Sequence, residues 1–247
     1  MLNHLVIGAG NMGRRHGGIL ESMGDNVNYY DVKVELSDFR VLKAATDYKY
    51  DSVLICTPPE THLNWIIWAL YTLKLPVFCE KPIITCPVPK SLILPYPWAF
   101  ISTLAACNWR FCDCLPSLAQ IRYIYCTYPI KNKEFKYLDY IHFLDLFWQE
   151  LGIPEDIKFE QDSMFLQYRG GIVRNRFTIH DNTKASFTTV NGDLIHNPVC
   201  NMFEKQMEHW RNVICGKENS INPFIVAMNR IEYLVFNYEK GDIQTII

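Results

Sequence analysis

The chain has 247 residues, enough for one large domain or two small ones with real cores, and at 49% hydrophobic and 20% charged it reads as an ordinary globular protein. A formal net charge of -2, with no dense run of Lys and Arg, argues against a nucleic-acid partner. Nine cysteines at irregular spacing argue against a disulfide framework and for reduced thiols in a cytoplasmic protein.

The N-terminus goes straight into a strand-like run, Leu5-Val6-Ile7, without the basic segment and cleavage pattern of a signal peptide. The pattern Gly8-x-Gly10-x-x-Gly13 follows at once. In a dinucleotide-binding loop the first glycine permits the tight turn, the second lets a pyrophosphate reach the backbone, and the third lets the next helix pack closely. Amides at the start of that helix then face the phosphate charge. The helix is expected from about Met12 to near Gly24, and a second strand over 27–31. Asp31 ends that strand, where a carboxylate can accept hydrogen bonds from ribose hydroxyls; it favours NAD over NADP, although nearby Lys33 weakens the preference.

"DSVLICT", from Asp51, is an apolar strand suited to the centre of a sheet, and Thr57 and Pro58 at its end should line the cofactor cleft. Leu63, Ile66, Ile67 and Leu70 then recur at helical spacing. "PVFCEK" is the next strand, with Lys81 just past its carboxyl end, the edge where ligands bind in such sheets. The apolar stretch Ser91–Cys107 is broken by Pro95 and Pro97, so it reads as loop and buried strand rather than a membrane span. Strands alternating with helices imply a parallel sheet with crossover helices. Cys107, Cys112 and Cys114 lack a fourth ligand at suitable spacing, so no metal site is expected.

The second half changes character. A helix is expected over about 138–151, followed by strand-like runs "SMFLQY", "IVRNRFTIH" and "KASFTTV", with "QIRYIYCTY" preceding the helix. Gly170-Gly171, Asp181-Asn182 and Asn191-Gly192 read as hairpin signals in series. Two helices close the chain, one with Phe203, Met207, Trp210 and Ile214 on a face, the other opened by Asn222 as cap and Pro223. The fold class is therefore α/β: a Rossmann-type dinucleotide-binding domain over 1–117, then an α+β domain over 118–247 with an open, mostly antiparallel sheet. That open sheet leaves one face uncovered.

Four segments in order, "GAGNMGRRH" at 8–16, "TPPETH" at 57–62, "EKP" at 80–82 and "HFLDLFWQELG" at 142–152, resemble the glucose-fructose oxidoreductase / inositol dehydrogenase / MocA family, and "NWRF" at 108–111 matches a further landmark. The resemblance implies a nicotinamide-dependent oxidoreductase, with NAD (or NADP) held by Gly8, Gly10, Asn11, Met12, Gly13, Asp31, Thr57, Pro58, His62, Glu80 and Lys81. Read on its own, His62 caps or packs its helix. Oxidising an alcohol removes a hydride from carbon and a proton from oxygen, so the protein must supply a base and a charge for the developing alkoxide. Lys81 suits the charge. His142 is the candidate acid/base, or else a core histidine. Asn108 and Arg110 either approach the substrate or brace the domain junction.

Three departures from the family pattern stand out. Position 138 is leucine where the family has aspartate; Asp139, three residues before His142, shares its helical face, and either it partly replaces the missing carboxylate or the site works without one. The interval Asp31–Asp51 is short, as if a strand–helix piece were trimmed. Prolines 87, 89, 95 and 97 disfavour the helix the family has there. The substrate that the resemblance implies is a sugar, cyclitol or nucleotide-linked sugar, bound by the second domain, and since relatives often bury the open face of such a sheet against another subunit, a homo-oligomer through that sheet is expected. A non-catalytic nicotinamide-binding sensor, favoured by Leu138, and a biliverdin-reductase-like tetrapyrrole reductase are the alternatives.

Overall fold

The computed structural model describes residues 1–33, 35, 38, 47–93, 102–111, 123–129, 141–160, 163–169, 171–178, 186–189, 194–195 and 201–244, some by backbone alone. In chain order the elements are β1 (Asn3–Ile7), α1 (Asn11–Ser22), β2 (Asn26–Tyr30), β3 (Ser52–Ile55), α2 (Pro59–Ile67), a π-helical turn (Trp68–Leu73), β4 (Val77–Cys79), α3 (Lys90–Ile93), β5 (Thr103–Ala105) and a 3-10 turn (Asn108–Phe111). Then come β6 (Tyr123–Pro129), α4 (Ile141–Leu151), β7 (Asp156–Glu160), β8 (Ser163–Tyr168), β9 (Gly171–Thr178), β10 (Ser186–Thr189), β11 (Leu194–Ile195), α5 (Met202–Ile214) and α6 (Phe224–Gln244). Contacts divide the chain into two units, Met1–Asn108 with Met202–Asn229, and Trp109–Asn201 with Arg230–Ile247. The expected boundary at residue 117 lies outside the described residues.

The first unit is built on a parallel sheet of order β2-β1-β3-β4-β5. Strands covered on both faces need apolar side chains throughout. Accordingly Leu5, Val6 and Ile7 of β1, Val53 to Ile55 of β3 and Val77 to Cys79 of β4 are all buried. The chain runs outward from β1 to β2 and then returns past it to β3, so the order reverses between β1 and β3. The interval Asp31–Asp51, expected to be trimmed, lies largely outside the described residues. Helix α5, although it follows the second sheet in sequence, packs here: Met207, Trp210 and Val213 join Val6, Leu20, Leu54, Phe78 and Leu104 in one core cluster. The edge strand β5 is closed by the segment before α6. Ala105 N–H donates to the Asn222 carbonyl, Asn222 Nδ2 donates to the Ala105 carbonyl, and Phe224 N–H donates to Thr103 Oγ1.

A polar network seals the opposite, amino-terminal edge of this sheet. Buried His4 hydrogen-bonds Ser52 Oγ through Nδ1 (2.8 Å) and Asp25 Oδ2 through Nε2 (3.2 Å). Asp25 also accepts from the Leu2 amide and from Arg211 of α5. Burial alone pushes the Asp25 carboxyl up, but the Leu2 amide, Arg211 and His4 together hold it below its ordinary range. Burial pushes His4 down, against the pull of Asp25.

The second unit holds a six-stranded mixed sheet of order β11-β10-β6-β9-β8-β7. The β6–β9 pair is parallel and the other described pairs are antiparallel. The strands on either side of Gly170-Gly171, β8 and β9, pair antiparallel, as do β10 and β11 on either side of Asn191-Gly192. Asp181-Asn182 lies outside the described residues; among the described residues β9 and β10, the strands on either side of it, each pair with β6 and not with each other. Strand β7 was not anticipated. Among the described residues no helix is long and apolar enough to cross a membrane.

Candidate functional site

A cleft of about 580 Å³ opens at the carboxyl ends of β1, β2 and β3, where the strand order reverses. Open α/β sheets place ligands at such a point. Of the residues expected to bind cofactor, Gly8, Gly10, Asn11, Met12, Asp31, Thr57 and Pro58 line it. Gly8 turns the chain at φ 92°, the left-handed region, and a Cβ there would stand 2.7 Å from the Cys56 carbonyl. Gly13 cannot carry a side chain either, because its Cβ would collide with the Gly8 carbonyl oxygen; it lets α1 lie against β1. Gly10 differs. A Cβ on it meets nothing within 4 Å, so the backbone here borders open space. Gly10 also starts α1 with no side-chain cap, and the first amides of a helix lack intrahelical partners. That combination is a cradle for an anionic group.

Asp31 closes the other end of the loop. Its Oδ2 accepts the Ala9 amide at 2.7 Å and its Oδ1 accepts the Lys33 amide at 2.9 Å. A carboxylate has about four acceptor sites, so capacity for a diol remains. Tyr30, Val32 and Trp65 supply an apolar wall beside it, with the Tyr30 and Trp65 rings edge to face at 5.9 Å. Thr61, also in the wall, donates from Oγ1 to Thr57 Oγ1 at 2.7 Å and steadies the loop after β3. Cys56 lines the cleft too, and burial, with Glu80 adding, pushes its thiol well up. Tyr30, Val32, Thr61 and Trp65 escaped the sequence reading. Their positions next to Asp31 and on the helix after Thr57-Pro58 were the available signal.

Glu80, Lys81 and His62 do not line this cleft; they form the structure beside it. His62 is fully buried, and bonds the Pro82 carbonyl through Nδ1 and the Thr57 carbonyl through Nε2, each at 2.7 Å. It therefore ties the loop after β3 to the loop after β4. Both oxygens of Glu80 are used within the protein. Oε1 accepts from Nε2 of His16 at 2.7 Å, and Oε2 accepts the Lys81 amide at 3.2 Å. His16, on α1, is the other residue that the sequence reading passed over, although it sits three positions after Gly13.

In the second unit His142 falls on α4 with its backbone described and its side chain outside the description; Asp139 and Leu138 lie outside the described residues. Asp145, one turn further along α4, is clamped by two arginines. Arg110 grips it through Nε and Nη2, and Arg230 through Nη1. All three are nearly fully buried, and a carboxylate held so is a structural anchor rather than a reactant. Among the described residues no group of His, Cys, Asp or Glu is arranged to hold a metal.

No family model and no curated protein matches the chain. Its structure is nonetheless similar to solved dehydrogenases over nearly the whole length. UDP-N-acetylglucosamine 3-dehydrogenase from Acidithiobacillus ferrooxidans matches with a TM-score of 0.77 at 15% identity, covering 96% of each chain. A myo-inositol dehydrogenase from Corynebacterium glutamicum matches with a TM-score of 0.75 at 14% identity, covering 99% of this chain and 97% of the other. An oxidoreductase from Agrobacterium radiobacter, solved with NAD+, L-tartaric acid and magnesium, has a TM-score of 0.74 at 14% identity, with 98% and 96% covered. These neighbours are dehydrogenases of the type that the four sequence motifs resemble. At such identities the likeness is one of fold.

Proposed function

We propose that the protein is an NAD-dependent oxidoreductase acting on a hydroxyl or carbonyl of a sugar, cyclitol or nucleotide-linked sugar. The observation that carries the reading is the cleft at the sheet's reversal point, with an open backbone at Gly10 and a carboxylate at Asp31. The residues fit the cofactor: Gly10, Asn11 and Met12 offer backbone to a diphosphate, and Asp31 offers acceptors to a ribose diol. A 2'-phosphate there would meet the Asp31 charge, which is why we take NAD over NADP. The nicotinamide, when bound, supplies the hydride chemistry.

The protein's own groups handle proton and charge. We assign Lys81 to stabilise negative charge on the reacting oxygen, and His142 to take and return the proton, with Asp139 supporting it. Glu80 and His62 hold the Lys81 loop; they are not assigned a contact with the cofactor. Gly13 serves by letting α1 approach β1. The second sheet is taken to bind substrate and to pair subunits. A non-catalytic sensor is kept as the second reading, because Leu138 stands where the family has aspartate.

Titrating the protein with NADH and following its fluorescence tests the cofactor. Saturable binding is expected, and its absence overturns the proposal. Turnover on a panel of sugars and nucleotide sugars, repeated with Lys81→Ala and His142→Ala, separates enzyme from sensor. Unchanged rates in both variants would remove the assigned roles.

A further inference from the structure

The loop that carries Lys81 is braced from two sides, and one brace comes from the cofactor-side helix. On one side His62 holds the Pro82 carbonyl. On the other, Glu80 spends one carboxylate oxygen on His16 and the other on the backbone amide of Lys81. His16 is itself fixed. It is fully buried, its ring lies edge-on to Phe78 at 5.0 Å and beside Phe203 at 5.9 Å, and it faces Glu80 with Nε2 alone. Phe78 belongs to β4, two residues before Glu80, so the same imidazole touches the strand and the carboxylate that ends it. A ring packed this way has little freedom, and its N–H is a directional donor to a carboxylate in a poorly hydrated setting.

We propose that His16 is a positioning residue for Lys81, acting through the Glu80 carboxylate, so that the helix of the glycine loop and the proposed charge-stabilising lysine form one hydrogen-bonded unit. The meaning of the unit for catalysis rests on the role assigned to Lys81 above; the coupling itself does not. With its imidazole donor in place, the Glu80 charge is directed at His16. Removing that donor frees Oε1 and loosens the carboxylate whose other oxygen holds the Lys81 amide, so the setting of the Lys81 side chain changes.

The test is competitive acylation of the cofactor-free protein with acetic anhydride, followed by mass spectrometry of the Lys81 peptide, with Lys74 and Lys217 as internal standards. His16→Ala is expected to change Lys81 acylation at least about twofold at neutral pH, and His16→Gln, whose amide can still donate to Glu80, to stay close to wild type. Glu80→Gln keeps the shape but weakens the acceptor for the His16 donor, and is expected to change Lys81 acylation in the same direction as His16→Ala. If His16→Ala does not fold, the Glu80→Gln and His16→Gln arms decide alone. Equal Lys81 reactivity in the wild type and every folded alanine or glutamine variant overturns the proposal. So does a change in His16→Gln matching that of His16→Ala, or a parallel change at Lys74 and Lys217, either of which marks general loosening. Because no cofactor is present, failure of NADH binding leaves this result standing, and failure of the coupling leaves the cofactor reading standing.

Discussion

Arg211 Nε donates to Asp25 Oδ2 at 2.6 Å across 186 residues of chain. The contact pins α5, which arrives after the second sheet, to the amino-terminal edge of the first. Asp25 has no exposure of its side chain to spare, whereas Arg211 is about one-third exposed, so the pair is worth less than a fully buried one. Arg211→Ala leaves Asp25 with the Leu2 amide and His4, and should cost about 2 kcal/mol in urea unfolding with an unchanged m-value. A loss near zero would show that apolar packing alone holds α5.

The same network predicts acid sensitivity. His4 is depressed below its ordinary value of 6.5 and Asp25 below 3.8. A depressed group contributes stability above its unfolded value and loses it as pH falls through its folded value. His4 therefore begins to subtract stability once pH drops below about 6.5, and Asp25 follows below about 4. Thermal melts should show Tm falling from pH 7 toward pH 5, and His4→Gln should flatten that first part of the slope. A Tm that holds steady over this range would contradict the buried neutral His4.

Two glycines of one motif separate fold from binding. At Gly10 an added methyl meets nothing within 4 Å, and the backbone angles suit alanine, so Gly10→Ala should keep its stability within about 1 kcal/mol. It should weaken NADH at least about tenfold, because the methyl fills the space offered to the diphosphate. At Gly13 the methyl collides with the Gly8 carbonyl, so Gly13→Ala should lose stability itself. NADH titration and a melting curve on each variant check the pair.

Asp31 sets the nucleotide preference in the proposed function. The wild type should bind NADH more tightly than NADPH, and Asp31→Ser should narrow the gap about tenfold or more. The variant also gives up the carboxylate bonds to the Ala9 and Lys33 amides, so some NADH affinity should fall with it. Fluorescence titration with both nucleotides measures the two effects separately.

Trp210 carries much of the seam between α5 and the sheet. It is fully buried, with its ring 6.0 Å from that of Phe78. Trp210→Ala should cost about 3–5 kcal/mol, enough to unfold a marginal domain.

Much of the first sheet was legible from residue order. Unbroken apolar runs at 5–7, 53–55 and 77–79 signal strands covered on both faces, and the glycine triplet with Asp31 at its distance places the cleft. These signals are local: each needs a window no longer than a strand, a turn or a helix. The alternation Asp-Ile-Lys-Phe-Glu over 156–160 was equally local, and so β7 was available to be read. Partner choice was not. That β9 and β10 straddle β6, that α5 returns to the first sheet, that His16 answers to Glu80 and Arg211 to Asp25, all depend on which distant surfaces bury one another. A chain of side chains encodes period and turn within itself, but a hydrogen bond between residues 64 or 186 positions apart exists only once the core has brought its two ends together.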